Sequence, residues 1–153
     1  MTTAVVISAG ERRDLPAIVG LLSAAALPVT GAEDASLFVA RRDEAIVGCA
    51  GLETYGRHGL LRSVAVAEHC RGQGIARRLV EEVVEQAGSA GLTELYLLTT
   101  SAPEFFQRLG FAAFRRNHAP AGIAGSWEFR VGCPDTAVSM WRRLSIGKSR
   151  MAQ

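Results

Sequence analysis

The chain has 153 residues, of which 48% are apolar and 21% are charged, and its formal net charge is +2. This length suits one compact domain, which we predict over residues 1–153 with a flexible tail at 145–153. The small charge argues against a nucleic-acid partner, and no apolar stretch approaches the roughly 18 residues that span a bilayer, so we expect no membrane partner. The N-terminus lacks a signal-peptide pattern, and we therefore predict a cytoplasmic protein.

The hydrophobic pattern predicts helices and strands in the order β-α-β-β-β-α-β-α-β-β. The first helix begins at Asp14 and ends before Pro28, and further helices are predicted at 75–90 and 102–109. The predicted strands cover residues 4–8, 37–40, 45–53, 60–67, 94–99, 111–116 and 137–144. Residues 119–125 are rich in Gly, Ala and Pro and are predicted as a loop. Hairpins followed by a β-α-β unit predict an α/β (α+β) fold with helices packed on a mixed sheet.

A glycine-rich turn joins the strand at 60–67 to the helix at 75–90, with the sequence Arg71-Gly72-Gln73-Gly74-Ile75-Ala76. Its two glycines let the backbone approach a ligand without a Cβ atom in the way. The first turn of the helix presents unpaired N–H groups and the positive end of the helix dipole. The turn therefore predicts an anion site that fits a diphosphate, to which Arg71 and Arg77 could add positive charge.

On these motifs the sequence resembles the GNAT superfamily of acetyl-coenzyme-A-dependent N-acetyltransferases over nearly its whole length. The family pattern [Arg/Gln]-x-x-Gly-x-[Gly/Ala] is met by Arg71, Gly74 and Ala76. A second family pattern, an aromatic residue before x-x-Leu-Gly-Phe, is met by Phe106 and the run 109–111. The resemblance implies a mixed, mostly antiparallel sheet flanked by helices, with a central β-α-β unit that binds acetyl-CoA and needs no metal.

The resemblance also implies that the chain's backbone holds the coenzyme. Amides of the turn would hold the pyrophosphate, and the preceding strand would line the pantetheine arm and the acetyl carbonyl. The coenzyme-binding residues predicted in this way are Val64, Ala65, Val66, Arg71, Gly72, Gln73, Gly74, Ile75, Ala76, Arg77 and Phe106. Many family members carry a tyrosine at position 106 as general acid, and phenylalanine cannot donate a proton. We therefore nominate no general acid, since water can protonate the thiolate or the thiolate can leave unprotonated.

Acetyl transfer requires that the acceptor amine first lose a proton, which a nearby carboxylate can accept. Glu53, at the end of a predicted strand, is the candidate base, with a solvated strand-end residue as the open alternative. His58 and His69 are weaker candidates. Nothing beside Cys49 resembles an activating base, and His69 beside Cys70 is interpreted as a surface residue, so we predict direct attack in a ternary complex without a covalent intermediate. The widely spaced cysteines show no metal-ligand pattern.

The acceptor is predicted to be a small, amino-acid-like primary amine. The run 97–102 followed by Phe105-Phe106 resembles the acetyltransferase domain of N-acetylglutamate synthases. The runs 51–53, 60–63, 98–100 and 133–134 resemble small GNAT proteins of the arsenic-resistance type, and both likenesses imply such an acceptor. Arg62, a charge inside an apolar strand, would bind either a structural acid such as Glu53 or a substrate carboxylate, and Thr100 is a second substrate candidate. Thr99, Arg115 and Arg116 are further substrate candidates, with ordinary surface charges as the favoured interpretation of the two arginines.

Two other functions stay open on the sequence alone. One is a non-catalytic module that binds acyl-CoA as a sensor, which the missing tyrosine at Phe106 allows. The other is a protein N-acetyltransferase, which would need an open groove for its substrate. The apolar strand at 137–141 would support a homodimer if it lay at the edge of the sheet.

Overall fold

The computed structural model describes residues 4–145, which contain seven strands and four α-helices. In chain order they are β1 Val5–Ala9, α1 Leu15–Ala24, β2 Ser36–Arg42, β3 Ala45–Tyr55, β4 His58–Val66, α2 Ile75–Ser89, β5 Glu94–Thr99, α3 Pro103–Arg108, β6 Ala112–Ala113, α4 Ala121–Ala124 and β7 Val138–Arg143. The tail predicted at 145–153 lies, from residue 146 on, outside the described residues.

The strands form one mixed sheet in the order β1-β2-β3-β4-β5-β7-β6. The pairs β1–β2, β2–β3, β5–β7 and β6–β7 are antiparallel, whereas β4 and β5 are parallel. The parallel ladder pairs His58–Leu60 with Glu94–Tyr96, the first three residues of each strand. Parallel strands require a crossover connection, and α2 lies in that connection. The predicted fold, a mostly antiparallel sheet with helices and a central β-α-β unit, is thereby confirmed.

The C-terminal third departs from the predicted elements in its short segments. The strand predicted at 111–116 shortens to Ala112–Ala113. Just beyond it, the Phe114 N–H donates to the Ser139 carbonyl at 2.9 Å, and the Phe114 carbonyl accepts the Ser139 hydroxyl at 2.6 Å. The loop predicted at 119–125 contains α4, and a single π-helical turn at Glu128–Gly132 was not predicted. Because β7 lies between β5 and β6, the strand considered for dimerisation is not an edge of the sheet.

The described chain divides into two compact units, each assembled from separate stretches of sequence. The first contains the chain up to Leu52 together with Arg62–Val83, and the second contains Glu53–Leu61 together with the chain from Val84. The predicted single domain stays a prediction. The first unit is built on a cluster of side chains from α1, β2, β3, β4 and the segment between α1 and β2, which is Ile18, Leu22, Ala32, Val39, Cys49 and Ala65. In the second unit the corresponding cluster is Leu60, Tyr96, Ile123 and Phe129.

A buried carboxylate, that of Asp14, lies just before α1 in the first unit. Asp14 is 4% exposed and accepts the Glu11 N–H and the Arg41 guanidinium, each at 2.8 Å. The backbone hydrogen bond from Glu11, followed by the hydrogen bond from Arg41, holds the pKa of Asp14 below its usual range. A carboxylate with a lowered pKa stabilises the fold above the usual aspartate pKa, and this contribution is lost as pH falls through the folded value.

Asp14→Asn is therefore expected to destabilise the protein at neutral pH by roughly 1–3 kcal/mol and to flatten the acid side of its stability curve. Thermal unfolding of both proteins between about pH 7 and about pH 3 measures this, and the two curves should converge at the acid end. Asp34→Asn, at an exposed position, is the matched control, and its stability should depend on pH in the same way as that of the wild type. A constant difference between wild type and Asp14→Asn at every pH would contradict the assignment.

Arg116 organises the segment of the second unit in which the prediction failed. Its guanidinium donates to four carbonyls, those of Phe129 at 2.8 Å, Pro134 at 2.9 Å, Cys133 at 3.2 Å and Glu128 at 3.4 Å. It also lies over the Phe129 ring, 5.6 Å from the centroid. The expectation that Arg116 is an ordinary surface charge is wrong, because its two terminal nitrogens donate to carbonyls of the π-helical turn and of the segment that follows it.

Arg116→Ala is accordingly expected to cost roughly 2–4 kcal/mol of folding free energy. Arg116→Lys should recover less than half of that loss, since a single ammonium group cannot reach four carbonyls in the geometry of a planar fork. Urea unfolding measures both variants against Arg115→Ala, which removes the neighbouring exposed guanidinium and should cost less than about 0.5 kcal/mol. Equal losses for Arg115→Ala and Arg116→Ala would show that the four contacts contribute nothing.

Candidate functional site

The turn between β4 and α2 has the backbone geometry of an anion cradle. Gly72 and Gly74 adopt φ of +80° and +81°, a left-handed conformation that side chains disfavour. A Cβ atom added at either glycine would have no heavy atom within 4 Å, apart from those of its two chain neighbours. The turn therefore borders open space. The Arg78 N–H donates to the Gly74 carbonyl at 3.1 Å and begins the helical hydrogen bonds. The amides from Gly74 to Arg77 therefore precede the helical ladder and are available to a ligand.

The first turn of α2 is seated directly on the sheet. A Cβ atom at Gly48 in β3 would lie 3.0 Å from Leu79 Cδ1 and 3.2 Å from Ile75 Cγ2, so the helix packs against the strand closely enough that a side chain there would require these neighbours to shift. Ile75 and Leu79 are 3% and 0% exposed. Because the buried side chains hold the helix start in place, the amides at its N-terminus are held in place as well.

Three arginine side chains lie at or beside this turn, and each has a different partner. Arg71 Nε donates to the Val66 carbonyl at 3.1 Å and ties the turn to the end of β4. Arg77 forms an exposed ion pair with Glu81, with 3.0 Å between Nε and Oε2. Arg42, from the end of β2, donates to Gln73 Oε1 at 2.6 Å. Arg42 was not predicted from the sequence, since no local pattern connects it to the turn.

The strand predicted to line the pantetheine arm follows a backbone irregularity. Ser63 in β4 has a φ of +61°, which breaks the regular strand geometry just before Val64–Val66. The buried Arg62 beside it donates from Nε to Ser63 Oγ at 3.0 Å and from Nη2 to the Thr30 carbonyl at 2.7 Å. Two nitrogen atoms of Arg62 are thus engaged within the first unit, and its role toward substrate stays a prediction.

The candidate base Glu53 lies in the second unit, near the end of β3. It is half-buried, and its carboxylate accepts the Tyr55 hydroxyl. Tyr55 packs against the core cluster of this unit, and a Cβ atom at Gly122 in α4 would lie 2.7 Å from Tyr55 Cβ. Residues two apart on a strand lie on the same face, so the spacing of Tyr55 from Glu53 could have identified Tyr55 from the sequence.

The remaining predicted residues of the second unit differ in burial. Phe106 is 7% exposed and meets Phe105 and Phe111 edge-to-face, with ring centroids 5.0 and 5.8 Å apart. Thr100 is exposed just after β5. His58, a weaker base candidate, lies with Nε2 3.2 Å from Glu94 Oε1. The structure therefore groups Arg62 to Arg77 in one unit and Glu53, Thr100 and Phe106 in the other.

Cys49 is not placed to act as a nucleophile. Its side chain is fully buried in the first core cluster, and burial raises the pKa of its thiol to about 12. A thiol with such a pKa is protonated at neutral pH and is a poor nucleophile. Among residues 4–145, no group of three or more His, Cys, Asp and Glu side chains is placed to bind a metal ion. Within the same range, no helix combines the length and the apolarity that a membrane crossing needs.

Comparison with known proteins gives relatives that are named as acetyltransferases. An uncharacterised N-acetyltransferase of Chlorobaculum tepidum is 32% identical over 63% of this chain and 61% of its own length. An amino-acid acetyltransferase of Ralstonia nicotianae is 34% identical over 50% of this chain. The match spans only 18% of that enzyme, so the chain covers less than two thirds of either relative.

The fold is shared with solved structures of the same kind. The N-acetylglutamate synthase of Neisseria gonorrhoeae, crystallised with coenzyme A and N-acetyl-glutamate, superposes with a TM-score of 0.76 at 20% identity. That match covers 94% of this chain and 36% of the synthase chain. The family model described as an acetyltransferase (GNAT) domain matches residues 33–113, which is more than half of the 153 residues and includes both the turn and Glu53. The chain belongs to the GNAT family of acetyltransferases.

Proposed function

We propose that the protein transfers an acetyl group from acetyl-CoA to the primary amine of a small, amino-acid-like substrate. The observation that carries this proposal is the Arg71–Ala76 turn, in which left-handed glycines border open space at the start of a long helix. It lies inside the segment that matches the family model. The names of the Ralstonia and Neisseria relatives, an amino-acid acetyltransferase and an N-acetylglutamate synthase, support an amino-acid-like acceptor.

The residues of the first unit would supply the donors and the positive field that the coenzyme's phosphates need. The amides of the turn and of the first turn of α2 would hold the pyrophosphate, which needs several N–H donors and a positive field. The backbone of Val64–Val66, beyond the irregularity at Ser63, would line the pantetheine arm and donate to the acetyl carbonyl. Bound acetyl-CoA would supply the acetyl group as an activated thioester.

Glu53 would accept the proton that the acceptor amine must lose before it can attack. Its carboxylate is held by the Tyr55 hydroxyl, and Tyr55 is held in turn by close packing against α4. A base that is fixed in this way loses little entropy on accepting the proton. The buried, protonated Cys49 supports direct attack on the thioester rather than a covalent enzyme intermediate.

The two predicted substrate residues differ in the role that their surroundings support. Arg62 is buried, with donors directed to Thr30 and Ser63, and we propose that it holds β4 in its irregular form. Thr100 is exposed just beyond β5, and we propose it as a contact for the acceptor. The carboxylate of an amino-acid substrate would then have to be recognised by residues other than Arg62.

Release of free thiol from acetyl-CoA tests this function with a panel of candidate acceptors. The panel contains amino acids, their phosphorus and arsenic analogues, polyamines and peptides. Turnover with an amino acid or an analogue is the expected result. Turnover with peptides alone would favour a protein N-acetyltransferase, and tight coenzyme binding without any turnover would favour a sensor. If the chain fails to bind coenzyme A, the assignment of the turn is wrong.

A further inference from the structure

Arg42 reaches the coenzyme turn from a different part of the sheet. Its Nη2 donates to Gln73 Oε1 at 2.6 Å, and its Nη1 donates to the buried Cys70 Sγ at 3.5 Å. Cys70 precedes the turn and Gln73 lies in its middle. One planar guanidinium therefore contacts the chain at two points three residues apart, a geometry that a single-point cation cannot reproduce.

The position of Gln73 explains why such a contact matters. The residue lies between Gly72 and Gly74, which are the most flexible kind of residue and both adopt the left-handed conformation. Gln73 is itself exposed, so packing does not fix it. Its hydrogen bond to Arg42 therefore holds the middle of the turn, in addition to the contact of Arg71 with the Val66 carbonyl, and a preordered site loses less entropy on binding.

The same side chain also brings a permanent positive charge to the turn. Arginine stays protonated at every physiological pH and binds phosphate oxygens through its planar fork. Of the two cations predicted here, Arg71 donates from Nε to the Val66 carbonyl and Arg77 pairs with Glu81 at 3.0 Å. The Arg42–Gln73 contact, by contrast, is exposed to solvent and thus lies where a ligand could approach it.

We infer that Arg42 is a phosphate-binding and positioning residue of the coenzyme site, which orders the turn through Gln73 and adds positive charge for the phosphates of the coenzyme. This inference rests on the proposed function, because it presumes that the turn binds coenzyme A. It assigns a role to a residue outside the family's turn motif.

Isothermal titration of the full chain with coenzyme A tests the inference, with pantetheine as a ligand that lacks all phosphates. Arg42→Gln is expected to weaken coenzyme A binding about five- to twentyfold while pantetheine binding, measured by competition, stays the same. Raising the salt concentration should reduce the difference in coenzyme A affinity between wild type and Arg42→Gln, because salt screens the contribution of the charge. The affinity of Arg42→Lys for coenzyme A should lie between those of the wild type and Arg42→Gln, since lysine keeps the charge and loses the two-point contact.

Arg13→Gln removes an equal charge from an exposed ion pair with Glu11 and should leave both affinities unchanged. Thermal unfolding of every variant shows whether the fold is intact. An equal loss of affinity for coenzyme A and pantetheine in Arg42→Gln, or no loss for either, would overturn the inference while the proposed function stands. If the wild-type chain does not bind coenzyme A, the proposed function and this inference fail together.

Discussion

Glu53→Gln is expected to lower kcat for acetyl transfer by about 10²–10³-fold at neutral pH, with the affinity for coenzyme A near that of the wild type. Glutamine keeps the size of the side chain and can still accept the Tyr55 hydroxyl, but it cannot take a proton from an ammonium group. The loss should therefore appear in the chemical step. Steady-state thiol release at saturating acetyl-CoA measures kcat, and titration with coenzyme A measures the affinity.

The pH dependence separates a lost base from a distorted site. In Glu53→Gln the acceptor must arrive already neutral, so the rate should rise about tenfold per pH unit until the amine itself is deprotonated. A distorted site would leave the loss constant at every pH. Glu44→Gln makes the same chemical change in the exposed turn between β2 and β3 and should stay within about twofold of wild type. Unchanged transfer by Glu53→Gln would remove Glu53 as the base and favour a solvated strand-end residue.

The long elements of the fold were predictable because their signal is local and repeated. In α2, the apolar residues at helical spacing are buried, with Ile75, Leu79 and Val83 no more than 3% exposed. The segment from Phe111 to Gly132 was not predictable in the same way. Its helical turns are too short for periodicity to show, and they depend on contacts such as those of Arg116 with carbonyls 12 to 18 residues further along the chain.

The same distinction applies to the candidate site. The turn at 71–76 is contiguous in sequence, so its glycines and the following helix could be recognised together. Arg42 is 31 residues from Gln73 in the sequence, and only the folded chain brings the end of β2 to the turn. Tyr55 was within reach of the sequence, because a tyrosine two residues after a candidate base lies on the same side of a strand.

Gly74→Ala is expected to weaken coenzyme A binding at least tenfold and to destabilise the free protein by about 1–2 kcal/mol. The loss of stability comes from placing a side chain at a φ of +81°. The loss of affinity has a separate cause, since the new methyl group would project into the open space beside the turn, where the pyrophosphate is proposed to lie. Titration with coenzyme A and urea unfolding measure the two losses independently.

Gly91→Ala supplies the control that separates backbone strain from contact with the ligand. Gly91 has a φ of +90° with open space at its Cβ position, and it follows α2 at the opposite end from the turn. Its substitution should cost a similar amount of stability and leave coenzyme affinity unchanged. Equal affinities in the two alanine variants would mean that strain alone acts at Gly74, and the pyrophosphate would then not lie against this turn. A loss confined to Gly74→Ala would place the bound phosphates within contact distance of the new methyl group, because strain is common to both variants.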